Sequence, residues 1–151
     1  MKSLVTTVVL VMMVAEAALA EPGGVGIRAG SINDGYMAEV FARVRPSENS
    51  LFEFSGGGGS RDIIVSAVPV DNRYSQVSAM LAWRTTDARG SLYAGGGAQY
   101  VYREYGSDYG SPIFQVGAES SVSPDLGITL DYRYQIHEAL NCWFGGLRVR
   151  F

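Results

Sequence analysis

The chain has one histidine, His137, and one cysteine, Cys142, five positions apart near its C-terminus. Nucleophilic catalysis needs a hydroxyl or thiol, a base within reach and an acid that orients the base. Ser107, Asp108 and Ser111 are groups that a loop could carry to His137, which makes His137 the candidate catalytic side chain. Cys142 reads as a small filler rather than a reactive thiol. One His and one Cys supply no metal-ligand set, so no metal is expected. Gly56-Gly57-Gly58-Gly59 and Gly95-Gly96-Gly97 lack the strand-to-helix setting and the Lys-Ser/Thr of a phosphate loop. No cofactor is expected.

A larger constellation is charged. Arg28, Glu39, Arg43, Glu53, Arg84, Arg103, Glu119, Asp131, Arg133 and Arg148 each stand at alternate positions within otherwise apolar stretches. Arg45, Arg150, Gln99, Gln115 and Gln135 share that phase. A guanidinium fork can hold a carboxylate at two points. Set on one face, these groups would form a network of ion pairs and hydrogen bonds, and buried charges that are paired need no catalytic explanation.

The elements that must position them have a period of two. From Leu126 to His137, Leu126, Ile128, Leu130, Tyr132, Tyr134 and Ile136 alternate with Gly127, Thr129, Asp131, Arg133, Gln135 and His137. Successive strand side chains point to opposite faces, so this segment is a strand, and its phase puts His137 on the charged face. The segments 24–32, 36–45, 51–57, 74–85, 91–103, 112–123 and 142–151 alternate likewise, with Phe41 out of pattern. Eight antiparallel strands predict an all-β barrel whose interior is just wide enough for side chains to fill it. The charged face then belongs inside, and no open pore is expected. Connections at 46–49, 86–89 and 124–125 are short, whereas 60–73 and 104–111 are longer. Short turns at one end and longer loops at the other fit a membrane barrel with both chain ends in the periplasm. The segment 60–73, with Ile63, Ile64, Val65, Val68 and Val70, reads as a hairpin extension.

Three features favour a membrane barrel over a soluble one. Phe52, Trp83, Tyr100, Tyr102, Tyr134, Trp143 and Phe151 gather at strand ends, as in the aromatic girdles of membrane barrels. The apolar face is thin, with Ala94, Gly96, Ala98, Ala118 and Gly145. A soluble core needs larger interlocking side chains. Third, Gly146, Val149 and the terminal Phe151 resemble the C-terminal assembly signal of bacterial outer-membrane proteins, which implies the barrel-assembly machinery as a partner.

At the other end, Lys2 precedes an apolar run from Leu4 to Val14, and Ala18-Leu19-Ala20 follows. This is the pattern of a secretory signal peptide. A signal peptide over 1–20, cleaved after Ala20, leaves a barrel domain over 21–151. Lys2 is the sole lysine, so the other eleven of the twelve basic residues are arginines, and the formal net charge is −3. That balance points to no nucleic-acid partner. A lone cysteine allows no intrachain disulfide, so barrel closure must hold the fold.

Asp131-Tyr132-Arg133-Tyr134, with the closing Arg148-Val149-Arg150-Phe151, resembles the small bacterial outer-membrane β-barrel families of OmpA/OmpX type and opacity type. The resemblance implies a bacterial outer-membrane location among lipid and lipopolysaccharide, a structural or surface-interaction role, and a surface partner that it does not name. The layout also resembles the outer-membrane lipid A deacylases, which carry His-x-Ser near the end of the penultimate strand and a carboxylate in the last. Here Ala139 stands two residues after His137, and the last strand has no Asp or Glu. The alternative function is a lipid A-modifying enzyme, deacylase- or acyltransferase-like, with a site of another design around His137.

Overall fold

Alternation at a period of two writes strands. The computed structural model describes residues 23–33, 35–86 and 90–150, and those residues form eight strands and no helix. The expected signal peptide over 1–20, Phe151 of the assembly motif and the turn residues 87–89 lie outside the described residues. In chain order the strands are β1 (Gly24–Ile32), β2 (Gly35–Ser47), β3 (Ser50–Val65), β4 (Val68–Thr86), β5 (Gly90–Arg103), β6 (Tyr109–Ser121), β7 (Leu126–Gln135) and β8 (Leu140–Arg150). Each pairs antiparallel with its sequence neighbours, and β1 closes on β8 to complete the barrel. The closing register runs from Gly24 opposite Arg150 to Ile32 opposite Cys142. Closure leaves no free edge around the barrel wall.

The two faces sort as the alternation requires. Ile27, Trp83 and Leu92 are each more than 60 % exposed on the outer wall, whereas Arg28, Arg43 and Arg133 are at most 2 % exposed inside. Phe41 keeps the inward phase of β2 and is fully buried. Its ring lies under two guanidinium groups, 5.0 Å from Arg28 and 4.7 Å from Arg43. An aromatic face that attracts cations is therefore part of the charged interior.

Large interior rings need glycine opposite them. A Cβ at Gly117 would meet Tyr93 Cζ and Asp131 Oδ1, each at 2.4 Å. A Cβ at Gly26 would meet Phe41 Cζ at 2.4 Å.

Strands β3 and β4 are longer than the alternation alone predicts. Both continue through the 60–73 segment and pair from Ser50 opposite Trp83 to Val65 opposite Val68. Ser66 and Ala67, with φ of 51° and 67°, make the two-residue turn, and positive φ at both central positions suits a hairpin. On its other sides the ladder stops lower: β2 begins opposite Arg61, and β5 ends opposite Tyr74. The tip of β3–β4 is therefore a two-stranded ribbon that rises above the barrel.

Strand β7 is shorter than expected. It ends at Gln135, and the chain turns over 136–139. The Ile136 N–H donates to Pro112 O at 3.1 Å, and the Ala139 N–H donates back to Ile136 O at 3.3 Å. His137 thus leaves the strand phase. It is exposed in a turn rather than directed inward.

Candidate functional site

Strands β1, β2, β3 and β7 bring three arginines and three carboxylates into one buried cluster. Arg28 donates from Nε to Glu39 Oε2 at 2.7 Å, from Nη2 to Glu53 Oε1 at 2.7 Å and from Nη1 to Asp131 Oδ2 at 3.2 Å. Arg43 donates from Nε to Glu53 Oε2 at 2.7 Å, from Nη2 to Asp131 Oδ1 at 3.3 Å, and also to the Tyr93 hydroxyl. Arg133 holds both oxygens of Glu39 and donates from Nε to Gln115 Oε1 at 2.9 Å. Gln76 Nε2 adds a bond to Glu39 Oε1 at 2.5 Å. The side chains of the six charged residues are at most 1 % exposed. The backbone leaves room for them: a Cβ at Gly146 would lie 2.7 Å from the Arg28 Cβ. Val149 of the same C-terminal motif faces outward on β8 and is half exposed.

Toward the end where β1 begins and β8 stops, Glu119 gathers a second group. Arg150 donates to Glu119 Oε1 at 2.6 Å, Arg43 to Oε2 at 3.3 Å, and Arg148 pairs closely with Oε1. Arg45 lies 3.7 Å from the same oxygen. Arg84 is buried at this end on β4.

Arg103 joins neither group. It reaches Glu138 Oε1 at 2.6 Å near the opposite end, where Arg61 donates to Glu138 Oε2 at 2.8 Å and the Tyr109 hydroxyl to the same oxygen at 3.1 Å. The Arg103 guanidinium stacks 4.7 Å above the Tyr109 ring and donates twice to Ser107 O, at 3.0 and 2.7 Å. This is a correction to the single network expected from phase alone. Arg103 ties the β5–β6 loop to the β7–β8 turn, forming a cap over the barrel. Beneath the cap, beside Ile32, Val101 and Leu140, lies a cavity of ≈ 10 Å³, at the lower limit for one water. An apolar layer of Ile32, Met37, Leu140, Cys142 and Phe144 packs there on β8, β1 and β2. Arg61, Tyr109 and Glu138 are the cap residues that spacing did not reveal. Arg61 and Glu138 lie 77 positions apart, and no local pattern links them.

The groups considered for catalysis have other partners. The His137 ring stacks on Tyr109 with centroids 4.6 Å apart. The Ser111 hydroxyl accepts from the His137 backbone N–H at 3.0 Å and donates to Pro112 O at 2.9 Å. Asp108 Oδ1 accepts the Arg103 backbone N–H at 3.0 Å. Serine and carboxylate thus make backbone bonds rather than a relay through imidazole. Cys142 is a buried free thiol in the apolar layer.

No protein-family profile matches the sequence, and no curated protein sequence does. Solved structures do match the architecture. Ail, the attachment invasion locus protein of Yersinia pestis, aligns with TM-score 0.63 and 18 % identity over 87 % of this chain and 99 % of its own. Neisserial surface protein A aligns with TM-score 0.62 and 16 % identity over 86 % and 96 %. The outer-membrane protein OprG of Pseudomonas aeruginosa aligns with TM-score 0.61 and 9 % identity over 86 % and 93 %. Identities this low speak to fold alone. A closed, eight-stranded antiparallel barrel with charges inside and apolar residues outside has the fold of the small bacterial outer-membrane β-barrels.

Proposed function

We propose that the protein resides in the bacterial outer membrane as a plugged barrel that supports the envelope and presents a surface ribbon to a partner. The inverted polarity carries this reading. Leu81, Trp83, Leu92, Leu130 and Trp143 stand exposed on the outer wall while the arginines and carboxylates are buried. Water would disfavour so continuous an apolar band, whereas lipid accepts it. Residues 1–20 act as the export signal, and Gly146, Val149 and Phe151 address the barrel-assembly machinery. The chain termini face the periplasm. The cap and the β3–β4 ribbon then stand outside, among lipopolysaccharide.

The surface role rests on the ribbon tip, where Ile64 and Val68 are 79 % and 58 % exposed. Apolar side chains held clear of the wall, on strands with unpaired outer edges, suit contact with another protein. Ail is described as an attachment protein and the Neisserial neighbour as a surface protein, which accords with a surface role here.

Fractionation of the natural protein tests the location. It is expected in the outer-membrane fraction, with migration in detergent gels that changes on heating. Clean monomeric behaviour without detergent would overturn the reading.

A further inference from the structure

Charge is not evenly balanced along the barrel axis. Arg28, Arg43 and Arg133 meet Glu39, Glu53 and Asp131 in the middle. At the chain-terminal end, Arg45, Arg84, Arg148 and Arg150 converge with Glu119 as their one carboxylate among the described residues. Arg148 has no exposed side-chain surface, and its Nε and Nη1 have no hydrogen-bond partner. Arg45 Nε and Nη2, Arg150 Nε and Thr129 Oγ1 are likewise buried and unpartnered. Buried donors without acceptors are costly, and charged ones most of all. Here several of them occur together, in a group with an excess of positive charge.

We propose that this end of the barrel binds a phosphate-class oxyanion through Arg45, Arg84, Arg148 and Arg150. A second carboxylate would leave positive charge unmatched. A phosphate adds up to two negative charges and several acceptor oxygens, the arrangement that guanidinium forks suit. Entry is open, since the Arg45 and Arg150 side chains are 17 % and 25 % exposed.

The phosphate can be free or belong to a phospholipid headgroup. Beside the cluster, Glu119 and Thr129 meet Leu92, Ala118, Ile128 and Leu130 around a concavity of ≈ 730 Å³. That apolar wall would lie along an acyl chain whose headgroup reaches the arginines. The headgroup source rests on the membrane location proposed above, whereas the anion site itself does not.

The test uses the whole chain, folded in an uncharged detergent free of phospholipid. Inorganic phosphate is titrated while the arginine Nε–H resonances are followed by NMR. Arg148 and Arg150 are expected to shift and Arg28 and Arg133 to stay in place. In a second arm, protein taken from phosphatidylglycerol vesicles is weighed by native mass spectrometry, which counts the lipid retained. Binding in the first arm identifies a site for free phosphate. Retention without it identifies a headgroup site. The double variant Arg45→Gln/Arg150→Gln should weaken either by about tenfold or more, the scale of at least one charge-assisted hydrogen bond. Arg73→Gln on the ribbon should change neither. The proposal is overturned if neither arm shows binding, if all arginine resonances shift alike, or if Arg73→Gln weakens binding as much as the double variant. Failure of fractionation would remove the lipid source and leave the phosphate titration as it stands.

Discussion

Arg133 grips Glu39 with both arms of its fork, Nη1 lying 2.8 Å from Oε1 and Nη2 3.2 Å from Oε2. The two residues are 94 positions apart and come from β7 and β2. Their bond runs across the barrel interior rather than along its wall. Glu39 also accepts from Arg28 and Gln76, so one carboxylate joins side chains from three other strands.

Removing that carboxylate takes from Arg133 both bonds of its fork and leaves the buried Nε of Arg28 without its acceptor. Glu39→Ala should cost about 3–5 kcal/mol, as expected when one partner of a buried ion pair is lost. Urea unfolding of the protein in lipid vesicles measures it. Adding Arg133→Met should return part of the loss, because the unpaired charge goes with it. Strictly additive costs would show that the pair does not act as a unit.

Gly117 is required by the ring opposite it. Gly117→Ala places a methyl against Tyr93 and Asp131, and overpacking of this kind costs about 1–3 kcal/mol. In the background of Tyr93→Leu the same alanine should cost less. An equal cost in both backgrounds would trace the effect to the backbone rather than to the ring.

Glu138 holds the cap through Arg61 and Arg103. These pairs are partly exposed, so Glu138→Gln should weaken the cap by about 1 kcal/mol, roughly a fivefold change in its opening equilibrium. Limited trypsin cleavage after Arg103 reports that opening and should speed up accordingly. An unchanged rate would mean that the bonds from Arg103 to Ser107 hold the loop by themselves.

His137 stacks on Tyr109 and is not seated in a relay with Ser111 or Asp108. His137→Ala should leave lipid A acylation, read by mass spectrometry, unchanged in the producing cells. A changed acylation profile would restore the lipid A-modifying alternative.

The plugged interior has its own test. Pure protein in planar bilayers should give no large, stable channels, because the ion-pair cluster crosses the axis, with Arg133 of β7 reaching to 3.8 Å from Glu53 of β3. Steady large conductance would show that this filling gives way.

Strands β5, β7 and β8 were legible in the sequence because their alternation is clean, and the inward phase of Arg133 and Arg148 followed directly. Phe41 looked out of place because a rule that sorts apolar from polar has no entry for a ring that serves cations. The β3–β4 ribbon carries no Asn-Gly or Asp-Gly at its tip. Ser66-Ala67 adopts the same positive φ without that signal, so the hairpin extension is legible from its apolar residues but the position of its turn is not. Alternation also ran on past Gln135 to His137, although the ladder had ended there. β7 stops where Ile136 donates to Pro112 O but Pro112 has no N–H to return the bond, and Ala139 N–H takes Ile136 O into a turn, which periodicity along one strand cannot register. The partition of arginines among three sites was hidden for a related reason. Phase tells which face a side chain takes, but height along the axis depends on register between strands.

The β1–β8 seam sets the order in which the protein can be made. It joins Gly24 to Arg150, the first strand of the barrel to the last, and such distant pairings form late. Until β8 arrives, β1 and β7 each keep an unpaired row of backbone donors and acceptors, which hydrocarbon does not tolerate. A nascent chain halted one strand short would therefore be an open sheet rather than a closed barrel, and in the outer-membrane location proposed above it would wait at the membrane surface until its last segment is supplied.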